Sequence, residues 1–195
     1  MMTKSNQITA WFATFFYLWI GTKVCDGQEP SNPHVSFKKI VLTDKYYCDG
    51  IAAGDINGDG NPDIVAGPFW YEGPSFNKSH AFYEPKVLPT EVSPSNSMFS
   101  FVRDFDHDGR LDILVLGRVH RHEAFWYQNP GDSERLWKRH FVFERVRGES
   151  PQLTNLLRDS SQLITHNDGK WGWLEPHETE PRRPWRFVPV GDNEG

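Results

Sequence analysis

Gly54-Asp55-Ile56-Asn57-Gly58-Asp59-Gly60-Asn61-Pro62-Asp63-Ile64-Val65-Ala66-Gly67 carries an acidic loop that returns as Asp104-Phe105-Asp106-His107-Asp108-Gly109-Arg110-Leu111-Asp112. Both copies read D-x-[DN]-x-D-G-x-x-D. Oxygen side chains at the first, third, fifth and ninth positions, with glycine at the sixth for a sharp turn, are what a hard cation of calcium's size requires. Carboxylates packed this closely repel by about 1 kcal/mol per pair at 4 Å in water and by more near a protein surface, so a cation is expected between them. An ordinary Asp/Gly turn needs one or two such residues, not five at fixed spacing in two places. Magnesium suits the pattern less well, because it keeps its waters and a strict octahedron.

The residues just after each loop decide between two folds. An EF-hand places a bidentate Glu at the twelfth position on an exiting helix; here that position is Ala66 or Val115. Ile64-Val65-Ala66-Gly67 and Ile113-Leu114-Val115-Leu116-Gly117 are short aliphatic runs closed by glycine, which predict buried strands. The acidic loops therefore lead into sheets.

The flanks repeat as well. Phe37 to Leu42 and Tyr83 to Leu88 are aromatic-basic, strand-like openings, leading to the small inner strands Gly50 to Gly54 and Met98 to Val102. After each loop comes an aromatic edge, Phe69-Trp70-Tyr71-Glu72-Gly73-Pro74 and Phe125-Trp126-Tyr127-Gln128-Asn129-Pro130. The step from Asp55 to Asp104 is 49 residues, which suits a propeller blade of four strands. A third unit opens at Trp137-Lys-Arg-His-Phe-Val-Phe143, continues through Gln152 to Leu157, lacks the acidic loop, and resumes at Ser161 to Thr165 and Trp171-Gly172-Trp173-Leu174-Glu175-Pro176. Asp159 is then a solvent or turn residue. The repeat units span about 37–82, 83–136 and 137–184, and Trp185 to Gly195 opens a fourth.

The expected class is all-β: blades of four-stranded antiparallel sheets, about three present. Closed rings need at least four, so further blades or another chain must complete this one. The stop in mid-repeat points to a piece of a longer product, in which Phe37 to Leu42 would complete the last blade as its outer strand.

Residues 1–27 read as a secretion signal. Lys4 precedes an apolar run from Ile8 to Gly21, shorter than the roughly 20 residues a bilayer span needs, and Cys25 and Gly27 are small enough for cleavage after Gly27. The alternative is an uncleaved anchor; Thr22-Lys23-Val24 does not suit lipidation of Cys25. The expected location is secreted or cell envelope. The mature chain, 28–195, would keep only Cys48, so no internal disulfide forms. Net charge is −5, and two divalent cations would bring it to −1. The acidity thus belongs to the loops, and no basic tract argues for nucleic acid.

The stretch from Gly54 to Pro68 resembles the signature of the FG-GAP/VCBS repeat family, secreted calcium-binding β-propellers, over about residues 35–195. The resemblance implies a ring of around seven blades with two structural Ca²⁺ sites. Asp55, Asn57, Asp59 and Asp63, and Asp104, Asp106, Asp108 and Asp112, would be side-chain ligands, with backbone carbonyls from Asn61 and Arg110. It does not imply one activity, because members include adhesion heads, carbohydrate-binding proteins and lyases.

Other candidates are weaker. Arg118, His120 and His122 share one face if extended, but a zinc site wants a third ligand, and a polar surface loop is the simpler reading. Trp70, Tyr71, Trp126 and Tyr127 recur once per repeat, as packing between blades does; Trp171 and Trp173 alternate onto one face and suit packing or sugar stacking equally. No nucleophile or phosphate motif is present. The expected role is a calcium-stabilised binding or adhesion scaffold for carbohydrate or a surface protein. The alternative is part of a sugar-processing lyase or dehydratase.

Overall fold

The computed structural model describes residues 36–91, 94–117, 123–132, 135–157 and 161–191. The chain divides into two units, Met1–Lys39 and Ile40–Gly195. The expected secretion signal at 1–27 lies outside the described residues.

Among its described residues the second unit holds twelve strands in three antiparallel sheets, each strand pairing with its neighbours in chain order. Sheet 1 is β1 (Ile51–Gly54), β2 (Asp63–Ala66), β3 (Phe69–Tyr71) and β4 (Ser79–Ala81). Sheet 2 is β5 (Phe99–Arg103), β6 (Asp112–Leu116), β7 (Ala124–Gln128) and β8 (Lys138–Phe143). Sheet 3 is β9 (Arg147–Thr154), β10 (Gln162–Asn167), β11 (Lys170–Glu175) and β12 (Arg186–Pro189). These are β-propeller blades, as the repeat predicts. The aliphatic run after the second loop is buried along its whole length as β6, because both faces of a central strand are covered.

Strand alternation sends successive side chains to opposite faces, and the two faces of sheet 2 make two cores. Ile113, Val115 and Tyr127 meet Val65, Trp70 and Phe82 of sheet 1. Leu114, Trp126 and Val142 meet Leu163, Leu174 and Trp185 of sheet 3. One device joins both pairs: the Trp137 N–H donates to Phe82 O at 2.8 Å, and the Trp185 N–H donates to Val142 O at 2.8 Å. Each tryptophan stands just before an outer strand and clips onto the outer edge of the preceding sheet. At the inner edge a Cβ on Gly54 would lie 2.6 Å from Val102 Cγ1, so only glycine lets β1 come this close to β5.

The segments expected to open each unit behave differently. Phe37 to Leu42 forms no strand, and Phe37 is 92 % exposed. Tyr83 to Leu88 forms none either, and Pro85 has no N–H to give a ladder. The outer strand of sheet 1 is β4, held because His80 stacks on Trp70 with ring centroids 4.3 Å apart. His140 on β8 repeats the stack on Trp126 at 4.4 Å, so Lys138–Phe143 finishes sheet 2 and does not begin sheet 3. Arg186–Pro189 likewise completes sheet 3 and does not open a fourth. Sequence units and sheets are thus out of phase by one strand. Sheet 3 turns from β10 to β11 through Asp168-Gly169, both at positive φ (47 and 78°), the two-residue hairpin pattern.

Candidate metal centres

The acidic loops are the β1–β2 and β5–β6 connections, closed by Gly54 opposite Asp63 and by Arg103 opposite Asp112. The first aspartate organises each turn. Asp55 accepts the N–H groups of Gly58 (2.8 Å), Asp59 (3.0 Å) and Gly60 (2.9 Å), and Asp104 accepts those of Asp108 (3.2 Å) and Gly109 (2.9 Å). The fifth-position aspartates accept the next but one N–H, Asn61 to Asp59 at 2.8 Å and Arg110 to Asp108 at 2.9 Å. Gly60 and Gly109 sit at φ 88 and 87°, which is why the sixth position is glycine. In the second loop His107 takes a left-handed conformation as well (φ 61°), where the first loop has Gly58.

The two loops differ in what surrounds the third position. Asn57 is exposed and its Nδ2 donates to Asp59 Oδ2 at 3.0 Å. Asp106 is enclosed, its side chain 5 % exposed. Gln128 Nε2 donates to its Oδ2 at 2.6 Å, and Arg182 Nη2, from the β11–β12 connection, lies 3.7 Å from the same oxygen. Asp106 Oδ1 is buried with no hydrogen-bond partner among the described residues, a costly state for a carboxylate. Carboxylate oxygens of Asp104, Asp106 and Asp108 lie within 4.8 Å of one another. Burial first, then the neighbouring charges of Asp108 and Asp104, pushes the Asp106 carboxyl above its ordinary range. Three convergent carboxylates, one with an oxygen left over, fit a hard divalent cation.

The ninth-position aspartates sit behind the loops, fully buried. Asp63 accepts Ile56 N–H (2.8 Å) on one oxygen and Gly73 N–H (2.8 Å) on the other. Asp112 accepts Phe105 N–H (2.9 Å) and Asn129 N–H (2.8 Å) in the same way. Each staples its loop to the corner after the aromatic strand. A carboxylate oxygen has two acceptor sites, so one amide does not spend it as a ligand. Burial raises Asp112 to about 7, against the pull of the two amides.

Asn129 is a functional residue that the repeat pattern alone does not pick out. Its Nδ2 donates to Ile56 O (2.9 Å) in the first loop and Leu111 O (3.0 Å) in the second, and its Oδ1 accepts Gly131 N–H (2.9 Å). One side chain ties both loops together. The only hint in the sequence is that Asn129-Pro130 stands where the first repeat has Gly73-Pro74. Between the loops opens a cleft of about 380 Å³, lined by Asp55, Asn57, Glu72, Arg110 and Trp137 among others.

Among the remaining candidates, Trp70, Trp126 and Tyr127 are buried in the inter-sheet packing, Tyr71 is buried beside Phe69 on the other face of sheet 1, and Trp171 is 59 % exposed. Arg118, His120, His122 and Asp159 lie outside the described residues. Cys48 is a half-buried free thiol.

The family model for the FG-GAP repeat matches residues 49–77, a span that runs from just before β1 through the first acidic loop and β3. No curated protein and no solved structure matches the chain. The loop stapled by Asp63 between two short strands, followed by an aromatic third strand, is thus the segment of this chain that forms an FG-GAP repeat.

Proposed function

We propose that this chain is a calcium-stabilised β-propeller scaffold of a secreted or cell-envelope protein, whose task is to bind carbohydrate or a protein surface. FG-GAP repeats suit a ligand-binding or adhesion scaffold, and proteins that carry them are commonly extracellular or surface-associated. No helix among the described residues is long and apolar enough to cross a membrane. The observation that carries the calcium reading is the Asp104, Asp106 and Asp108 trio with the orphaned Asp106 Oδ1. Asp55, Asn57 and Asp59 would hold a second ion. The metal's role is structural: bound to the folded loop alone, it stabilises by about 2.7 kcal/mol at 100 times its Kd, and extracellular calcium is millimolar.

The test is thermal unfolding with 2 mM Ca²⁺ against chelator. The expected outcome is a rise of about 5 to 10 °C in Tm with calcium, and a smaller one with the same concentration of magnesium. Identical melting in chelator and calcium would refute the structural ion.

The inter-loop cleft supports the binding half of the reading. Carboxylates, amides and one guanidinium line it together with Trp70 and Trp137, a composition suited to hydroxyl-rich ligands. The partner that completes the ring would be a further blade of the same kind, laid on the face of sheet 3 that carries Trp171 and Trp173.

A further inference from the structure

We propose that Arg110 and Arg182 are tethered counter-ions that set the cation affinity of the second acidic loop and hold its shape when no ion is bound. This rests on the calcium reading above and concerns residues that the repeat pattern does not specify: the seventh position is Asn61 in the first loop, and Arg182 comes from a different sheet.

The geometry is asymmetric between the loops. Arg110 Nη2 pairs with Asp108 Oδ2 while its Nε donates to Asn129 O at 3.0 Å, so the guanidinium is anchored at one end and set on a ligand carboxylate at the other. Arg182 lies 3.7 Å from Asp106 Oδ2. Two of the three carboxylates of the trio therefore face a cationic side chain already. Among the described residues, Asp55 and Asp59 of the first loop have no ion-pair partner, and their oxygens are served by backbone N–H groups and by Asn57 and Asn61.

Charge bookkeeping then reverses the ranking that ligand counting suggests. Counting side-chain carboxylates in the first, third and fifth positions, the second loop carries three and the first two, but two guanidiniums offset two of the three. An incoming ion must work against the fields of both Arg110 and Arg182. Asp106 keeps Oδ1 free for it, because Gln128 and Arg182 both address Oδ2. The second loop is thus a site held ready but weakened, and the link through Arg182 makes its affinity depend on how sheet 3 sits against sheet 2.

The experiment reads each loop separately in the whole chain. The amides of Gly60 and Gly109 each donate to the first aspartate of their own loop, so their ¹⁵N–¹H signals report two independent isotherms as CaCl₂ is added. In Arg110→Gln/Arg182→Gln the Gly109 isotherm should tighten about tenfold at 0.1 M salt, with the gain shrinking at 0.5 M, while the Gly60 isotherm stays within twofold. Arg182→Gln alone should give about threefold; its side chain is 59 % exposed, so folding does not depend on it. Arg182→Lys, which keeps the charge, should restore the parental affinity. In chelator the double variant should melt below the parent. An unchanged Gly109 isotherm in the Gln variants, or equal tightening in Arg182→Lys, overturns the counter-ion role. Neither amide responding to calcium in any of the proteins instead removes the calcium reading itself.

Discussion

Asp63 and Asp112 show how one residue can serve two ends. Read from the loop pattern they are ninth-position ligands; in the fold each also accepts two backbone N–H groups. Removing the carboxylate therefore orphans two buried donors whether or not an ion is present. Asp112→Ala is expected to cost about 2 to 4 kcal/mol in urea unfolding, and the loss should persist in chelator, where a residue acting only as a ligand would cost nothing. Equal stability of Asp112→Ala and parent in chelator would show the staple to be unimportant. This role was not legible in the sequence, because the amide of Asn129 lies 17 residues from Asp112 and only the fold brings it there. The loop residues Asp55, Asp59, Asp104 and Asp108 were legible, since their partners are backbone groups two to five positions along.

At the scale of elements, the central strands announced themselves and the outer ones did not. β2 and β6 are aliphatic and come after a loop of fixed length, and β3 and β7 share the aromatic run Phe-Trp-Tyr. β4 is only three residues long and reads Ser-His-Ala; what makes it a strand is the stack of His80 on Trp70, a cross-strand contact that no periodicity reveals. The matching contact on β8 has a pH signature. Burial, then the positive charges of Lys138 and Arg182, hold the His140 imidazole below its usual range; Trp126 covers its face and Gln128 Oε1 accepts from Nε2 at 3.1 Å. A histidine with a depressed folded pKa contributes stability that is complete above its unfolded value of about 6.5 and is lost as pH falls below it. The urea midpoint should accordingly drop by more, or rise by less, between pH 7.5 and 5.5 in the parent than in His140→Gln, because the buried Asp112, raised to about 7, adds stability as pH falls through the same window in both proteins. The carboxyls held low by their partners, Glu72 and Glu175, lose their contribution only at more acid pH, outside that window. An equal change with pH in the two proteins would exclude His140 as a source.

For the molecule as a whole, the three sheets stack in chain order, and the faces bearing Trp70 and Trp126 are each covered by the next sheet. Trp173 holds the same place in sheet 3, opposite Val188 as Trp126 is opposite His140. Two residues beyond those outer-strand partners stand Phe82, Val142 and Val190. The first two are fully buried and accept an N–H from the tryptophan of the next sheet, whereas Val190 is 53 % exposed. An edge built like two occupied ones, with Trp171 beside it at 59 % exposure, is the physical content of the expectation that further blades complete the ring. In the chain alone, Trp171→Glu should change stability by no more than about 0.5 kcal/mol, while Trp126→Ala, which empties a closed core, should cost about 3 to 5 kcal/mol. Iodide should quench Trp171 in the folded chain, and the Trp171→Glu variant should lose part of the quenchable emission, whereas Trp70, Trp126 and Trp185 are shielded between sheets. Supplying a covering blade, by lengthening the chain or as a second molecule, should then protect Trp171 and make Trp171→Glu disruptive. If the substitution proves as costly as Trp126→Ala in the chain by itself, that face is already covered and the stacking order of the sheets ends elsewhere.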